Sequence, residues 1–301
     1  MTKSPRAVAQ EALRLARESL PEYSSKFSRK DFTQHQLFAI LALKTFFKAD
    51  YRGVVQMLDD FAELRGDLGL AVAPHYSTLC KAAGRLLKKG RSSSAFSRPP
   101  RAKDSGLIGD KPTAAVDATG MESRHTSRYF FKRAARKHTS RLWTKLTVVC
   151  DTGSHFLTAA TVSLGPANDA PQFRPAMAQA SLAIGYDRVL GDAAFDSEES
   201  HRYCREDLGV RSTVIPLNRR NRGRKWPLTR YRRQMVKRFR KKPKGSRHRR
   251  VYGQRWQAES AFSRHKRLLG SALRAKADAS RERECYLRVL THNLMLLAAT
   301  G

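Results

Sequence analysis

Three acidic residues in the 301-residue chain stand where paired carboxylates could do chemistry. Asp117 closes the apolar run TAAVDAT, and Asp192 closes DRVLGD. Each run reads as a short buried strand. If the two strands are parallel neighbours, both carboxylates project from one sheet edge, where open α/β sheets place their ligands. Two hard oxygen ligands at one edge suit Mg²⁺ or Mn²⁺. Asp151 also ends a strand, but an antiparallel one, so it is expected at the opposite edge. Asp196, four residues past Asp192, is the alternative second ligand. The third acid, Glu259, lies in YGQRWQAESAFSRHKRLL, read as one helix over 252–269. At about 100° per residue, Tyr252, Arg255, Glu259 and Lys266 share an arc of about 60°. Ala258, Ala261, Phe262, Leu268 and Leu269 form an adjoining apolar arc that can dock on a sheet. Ordinary charge pairing on a solvated face would give the same polar stripe.

These residues need a scaffold. Residues 142–150 and 155–164 are β-rich and joined at Asp151-Thr152-Gly153, a hairpin. Helices are read at 172–184, 197–208 and 281–299, and a strand at 210–217. The order β-β-β-α-β-α-β describes a mixed five-stranded α/β sheet flanked by helices. Residues 1–90 read as all-α, with helices near 6–20, 33–48, 51–65 and 75–89 and Thr33 a candidate N-cap. Glycines near 66 and 69 leave two readings, a helix-turn-helix-like DNA-binding unit or a plain bundle. The expected division is a helical domain at 1–95, a Ser/Pro/Gly-rich linker at 96–112, and a catalytic domain at 113–301.

Charge supplies the partner. There are 59 Lys+Arg against 26 Asp+Glu, a net +33, which calls for a polyanion such as nucleic acid. Residues 219–250 hold 17 Lys or Arg in 32 positions and no acid. This block reads as a phosphate-contacting arm or a solvated loop. Its Trp226, Tyr231 and Phe239 are expected to pack on the domain surface rather than stack on bases. Apolar runs are far shorter than the roughly 20 residues of a membrane span. No apolar leader is visible, so a cytoplasmic, nucleoid-associated protein is expected. Cys80, Cys150, Cys204 and Cys285 are widely spaced and read as small buried hydrophobes.

The spacing Y-x2-R-x3-E-x6-K, together with AAVDATG, RLWTKLTVVCD, GPANDAP and VLGDAAFDS, resembles the prokaryotic insertion-sequence DDE transposases with a YREK signature. The resemblance covers about 113–301 and implies an RNase H-like catalytic domain. It implies that Asp117, Asp192 and Glu259 are the catalytic triad holding two Mg²⁺ or Mn²⁺ ions, and that Tyr252, Arg255 and Lys266 contact DNA. It also implies a double-stranded DNA substrate at element ends and target, and a homodimer in a synaptic complex. Block 219–250 occupies the place of the family's insertion between the second Asp and the Glu. Two other functions fit the residues: a metal-dependent nuclease without strand transfer, and a non-catalytic basic nucleic-acid-binding protein.

Overall fold

A computed structural model describes residues 1–87, 105–123, 143–218, 227–240 and 247–300. The chain divides into two compact units. One is Met1–Phe96 with His265–Gly301; the other is Ser97–Arg264.

The first unit is helical: α1 (Pro5–Ser19), α2 (Gln34–Phe46), α3 (Tyr51–Asp60), α4 (Ala62–Asp67) and α5 (Tyr76–Leu86). Helix α2 starts at a capping box in which the Thr33 side chain accepts from the Gln36 N–H and Gln36 reaches back to the Thr33 N–H. Every residue from Leu37 to Leu43 is buried, so α2 has no polar stripe to leave in water. It is covered by α1, α3, α5 and the C-terminal helix Asp278–Leu297. That last packing departs from the expected division, which placed residues up to 301 in the catalytic domain. The physical reason is burial: Cys285 to Leu297 are all buried, Arg288, Thr291, His292 and Asn293 included, and a helix buried on every side needs cover all round.

The second unit holds β1 (Thr113–Ser123), β2 (Trp143–Asp151), β3 (Leu157–Gly165), β4 (Arg188–Gly191) and β5 (Ser212–Val214). The strand order is β3-β2-β1-β4-β5. The first three form an antiparallel meander, while β1–β4 and β4–β5 are parallel. Ala114 to Val116, Val189 and Leu190 are fully buried, so these strands read as continuous apolar runs rather than alternating ones. Helix α6 (Ala170–Ser181) packs on β2 and β3. A short helix, α7 (Glu198–Arg202), continues as a π turn over Tyr203–Asp207. Helices α8 (Arg230–Arg240), α9 (Arg247–Gly253) and α10 (Trp256–Leu269) follow.

Two expected elements change. Strand β1 does not stop at Asp117: its pairing with β2 runs on to Met121, opposite Thr144. The helix read over 252–269 is broken, with Gln254 and Arg255 forming a tightened turn. There the Gln254 and Arg255 N–H groups bond three residues back, to Val251 and Tyr252. The 100° projection therefore fails across Gly253–Arg255. No helix among the described residues is long and apolar enough to cross a membrane.

Candidate active site

The parallel pair β1–β4 ends at Val116 opposite Gly191, so Asp117 and Asp192 each follow the last paired position. Although β1 itself continues, Asp117 lies where its parallel neighbour has stopped. The expected same-edge placement holds for that reason. Asp192 leaves β4 as the N-cap of the 3₁₀ turn Ala193–Phe195, its Oδ1 accepting the Ala194 N–H. That bond fixes the carboxylate at the strand end. Asp151 is a turn former at the opposite end of β1. Its Oδ2 accepts from the Ser154 N–H (2.9 Å), the Ser154 hydroxyl (2.8 Å) and the Gly153 N–H (3.2 Å).

Helix α10 is anchored by Ala258, Ala261 and Phe262, all buried, and by a 2.5 Å hydrogen bond that His155 Nε2, in the β2–β3 turn, donates to Gln257 Oε1. One turn beyond Arg255, Glu259 meets it: Oε1 lies 2.5 Å from Nη2. Arg255 Nη1 also lies 3.9 Å from Asp117 Oδ1. Tyr252, from the preceding helix, accepts the Arg255 N–H at its carbonyl (3.0 Å). Its ring meets Phe239 edge-on at 5.3 Å. Arg255 therefore ties the first and third acids together from the turn that interrupts the helix. Lys266 stands seven residues past Glu259, about 10 Å along the same helix.

Burial pushes the Asp117 carboxyl up to about 6; Arg255 opposes this, and Asp192 and Glu259 add to it. Burial likewise raises the Tyr252 phenol. So Asp117 experiences both other acids. Nevertheless, among the described residues no three of His, Cys, Asp and Glu stand together as a group able to hold a metal ion. Glu259 is half in solvent and bonded to the guanidinium. The donor chemistry fits a hard divalent ion, since all three acids offer carboxylate oxygens. In this structure Arg255 supplies the positive charge between two of them.

Asp196 is excluded as a ligand by its surroundings. Its side chain is wholly buried and accepts from Arg232 Nε (3.0 Å), Arg232 Nη2 (2.9 Å) and the Asn218 N–H (2.8 Å). Arg232 belongs to α8, so this pair holds that helix. Glu198 caps the same helix through the Tyr231 and Arg232 N–H groups, at 2.9 and 3.0 Å. Tyr231 is buried, its hydroxyl donating to Glu206. Residues 230–240 are thus a docked amphipathic helix and not a loop. Trp226 lies outside the described residues. Sequence spacing gave no sign of the Asp196–Arg232 or His155–Gln257 contacts, because both join segments remote in the chain. Cys150, Cys204 and Cys285 are buried as expected, whereas Cys80 is exposed on α5.

Comparison with curated proteins finds no match. Residues 108–294, more than half of the chain, match the family model described as the transposase DDE domain. The match spans all three acids and the mixed sheet that carries two of them, an RNase H-like arrangement. This chain belongs to the transposase DDE domain family.

Proposed function

We propose that the protein is an insertion-sequence transposase that cuts DNA at the element ends and joins the freed ends to target DNA. Membership of the family makes it a nucleotidyl-transfer enzyme of a class that generally uses divalent ions. The observation that supports the finer reading best is the register of β1 and β4, which sets Asp117 and Asp192 side by side with Glu259 linked to Asp117 through Arg255.

In this reading Asp117, Asp192 and Glu259 hold two Mg²⁺ or Mn²⁺ ions. When bound, such ions supply Lewis-acid activation of the attacking oxygen and charge stabilisation of the leaving one. Asp192 is already pinned by its Ala194 bond; Glu259, half exposed, is free to turn from Arg255 toward the other acids. Release of Arg255 then gives it a phosphate to neutralise, alongside Tyr252 and Lys266. Water attacks the scissile phosphorus, and the P–O3′ bond breaks to leave a 3′-OH and a 5′-phosphate. That 3′-OH attacks a target phosphodiester, forms a new P–O bond and expels a target 3′-OH. No bond to the protein forms, so no Ser or Tyr nucleophile is required.

Arg230, Arg233 and Lys237 are exposed on one face of α8 and make a cationic stripe for DNA phosphates. Two DNA ends must be brought together, which a homodimer would do, and such a protein works in the cytoplasm at the nucleoid. Incubation with element-end DNA, a target plasmid and Mg²⁺ tests the reading. Joined products support it. Nicks alone support a nuclease, and binding without cleavage in any divalent metal supports a non-catalytic DNA-binding protein.

A further inference from the structure

The helical unit contains a cavity of about 480 Å³ that the acid site does not involve. Its chemistry is two-sided. One part is apolar, formed by Ala83, Leu87, Leu287 and the ring of Tyr51. The other is cationic: Lys44, Arg274, Lys276 and Arg283 all line it.

Lys44 is the informative member. It projects, half-buried, from the last turn of α2, and its ammonium lies 4.6 Å from the centre of the Tyr51 ring. Among the described residues no carboxylate comes within ion-pair distance of this ammonium, and the ammonium makes no hydrogen bond. Burial, with Arg274 and Arg288 nearby, lowers its proton affinity. An ammonium drawn out of water without an anion is costly. The two acids of the lining favour its charged form across space, but neither pairs with it. Glu284 is engaged by Arg288 at 2.6 Å and by the Arg274 and Ala275 N–H groups at 3.0 Å. Asp50 caps α3 by accepting the Gly53 N–H at 2.7 Å. The 20-residue helix Asp278–Leu297 also begins at the cavity with no side-chain cap. Its first N–H groups add positive potential there.

A cavity of this size with apolar walls and a few convergent charges is a ligand site in general form. We propose that it binds a nucleotide unit, the base against Tyr51, Leu87 and Leu287 and the phosphate against Lys44 and Arg283. A bare inorganic anion would leave the apolar walls uncovered, and a neutral aromatic would leave Lys44 unpaired. The nucleotide can come from a DNA strand or be free in solution.

Isothermal titration of the full-length protein with dAMP and with inorganic phosphate tests the assignment. Expected is saturable dAMP binding, at least about tenfold tighter than phosphate, weakened about tenfold or more in Lys44→Met and in Arg283→Gln. Circular dichroism shows which variant is folded; Arg283→Gln, at the partly exposed rim, serves if Lys44→Met is not. A 5′-phosphorylated oligonucleotide that displaces dAMP places the source in a strand. Failure to displace it, with dAMP still bound, makes a free nucleotide the ligand. Absent dAMP binding, equal affinity for phosphate, or unchanged affinity in a folded variant overturns the proposal. None of these readouts depends on DNA cleavage, so they are independent of the catalytic reading.

Discussion

Replacing Arg232 by Met isolates the contact that docks the basic helix. The Asp196 carboxylate is wholly buried and accepts three hydrogen bonds, two of them from Arg232. Removing the guanidinium leaves a buried negative charge with one backbone donor, Asn218 N–H, at 2.8 Å. At an effective dielectric of about 20 the lost attraction near 3 Å is roughly 5 kcal/mol, before water and relaxation repay part of it. Removing one partner of a buried pair costs about 3–5 kcal/mol. Arg232 is itself about a quarter exposed, so the lower end, about 3 kcal/mol, is expected. That corresponds to a fall in Tm of roughly 6–12 °C for a unit of this size. Urea unfolding followed by circular dichroism measures the change. The double variant Asp196→Asn/Arg232→Met should recover about 2 kcal/mol relative to additivity, because the orphaned charge is gone. A loss under about 1 kcal/mol in the single variant, or strict additivity in the cycle, would refute the claim that this pair carries the docking of α8.

Three further outcomes are expected. Ala at Asp117, Asp192 or Glu259 should abolish DNA cleavage while leaving gel-shift affinity intact or tighter, since a repelling charge is removed; ordinary cleavage by Asp192→Ala would sink the triad. Neutralising Arg230, Arg233 and Lys237 to Gln should weaken DNA binding and flatten the log Kd versus log salt slope by about 3, roughly one per lost phosphate contact, and an unchanged slope would mean the stripe does not meet phosphates. His201 is fully buried, bonded at 2.8 Å to Thr213, and held by burial at about 4. Its folded-state value is below the unfolded one, so its contribution is complete above about pH 6.5 and declines as the pH falls toward 4. The loss is about 2 kcal/mol by pH 5. His201→Gln should therefore lose less stability than the wild type between pH 7 and pH 5 in urea titrations; equal losses would contradict the assignment.

Local patterns carried most of the secondary structure. Thr33 followed by Gln36 marks the start of α2, and the apolar runs around Val116 and Leu190 mark strands covered on both faces. Motif spacing selected Asp117, Asp192 and Glu259. Helical periodicity misplaced Tyr252 and Arg255, because a 100° step assumes an unbroken helix and the chain tightens at Gln254–Arg255. The basic block read as a solvated or phosphate-facing arm because its own residues offer no acid. The acids that hold its helix α8, Asp196, Glu198 and Glu206, lie 25 to 36 residues before the residues they meet.

Sequence by itself determined the order of the central strands and helices, a charge excess that calls for a polyanion and three candidate acids, since composition, periodicity and local spacing are properties of neighbouring residues. Only the tertiary structure decided which charges face which. It set Asp117 beside Asp192 through strand register, placed Arg255 between Asp117 and Glu259, and sent Asp196 to Arg232 instead of the site. It also put Lys44 in a cavity whose two acids lie beyond ion-pair distance of its ammonium. Each of these depends on through-space distance between segments far apart in the chain, and the electrostatic energy follows that distance and the local burial, not sequence separation.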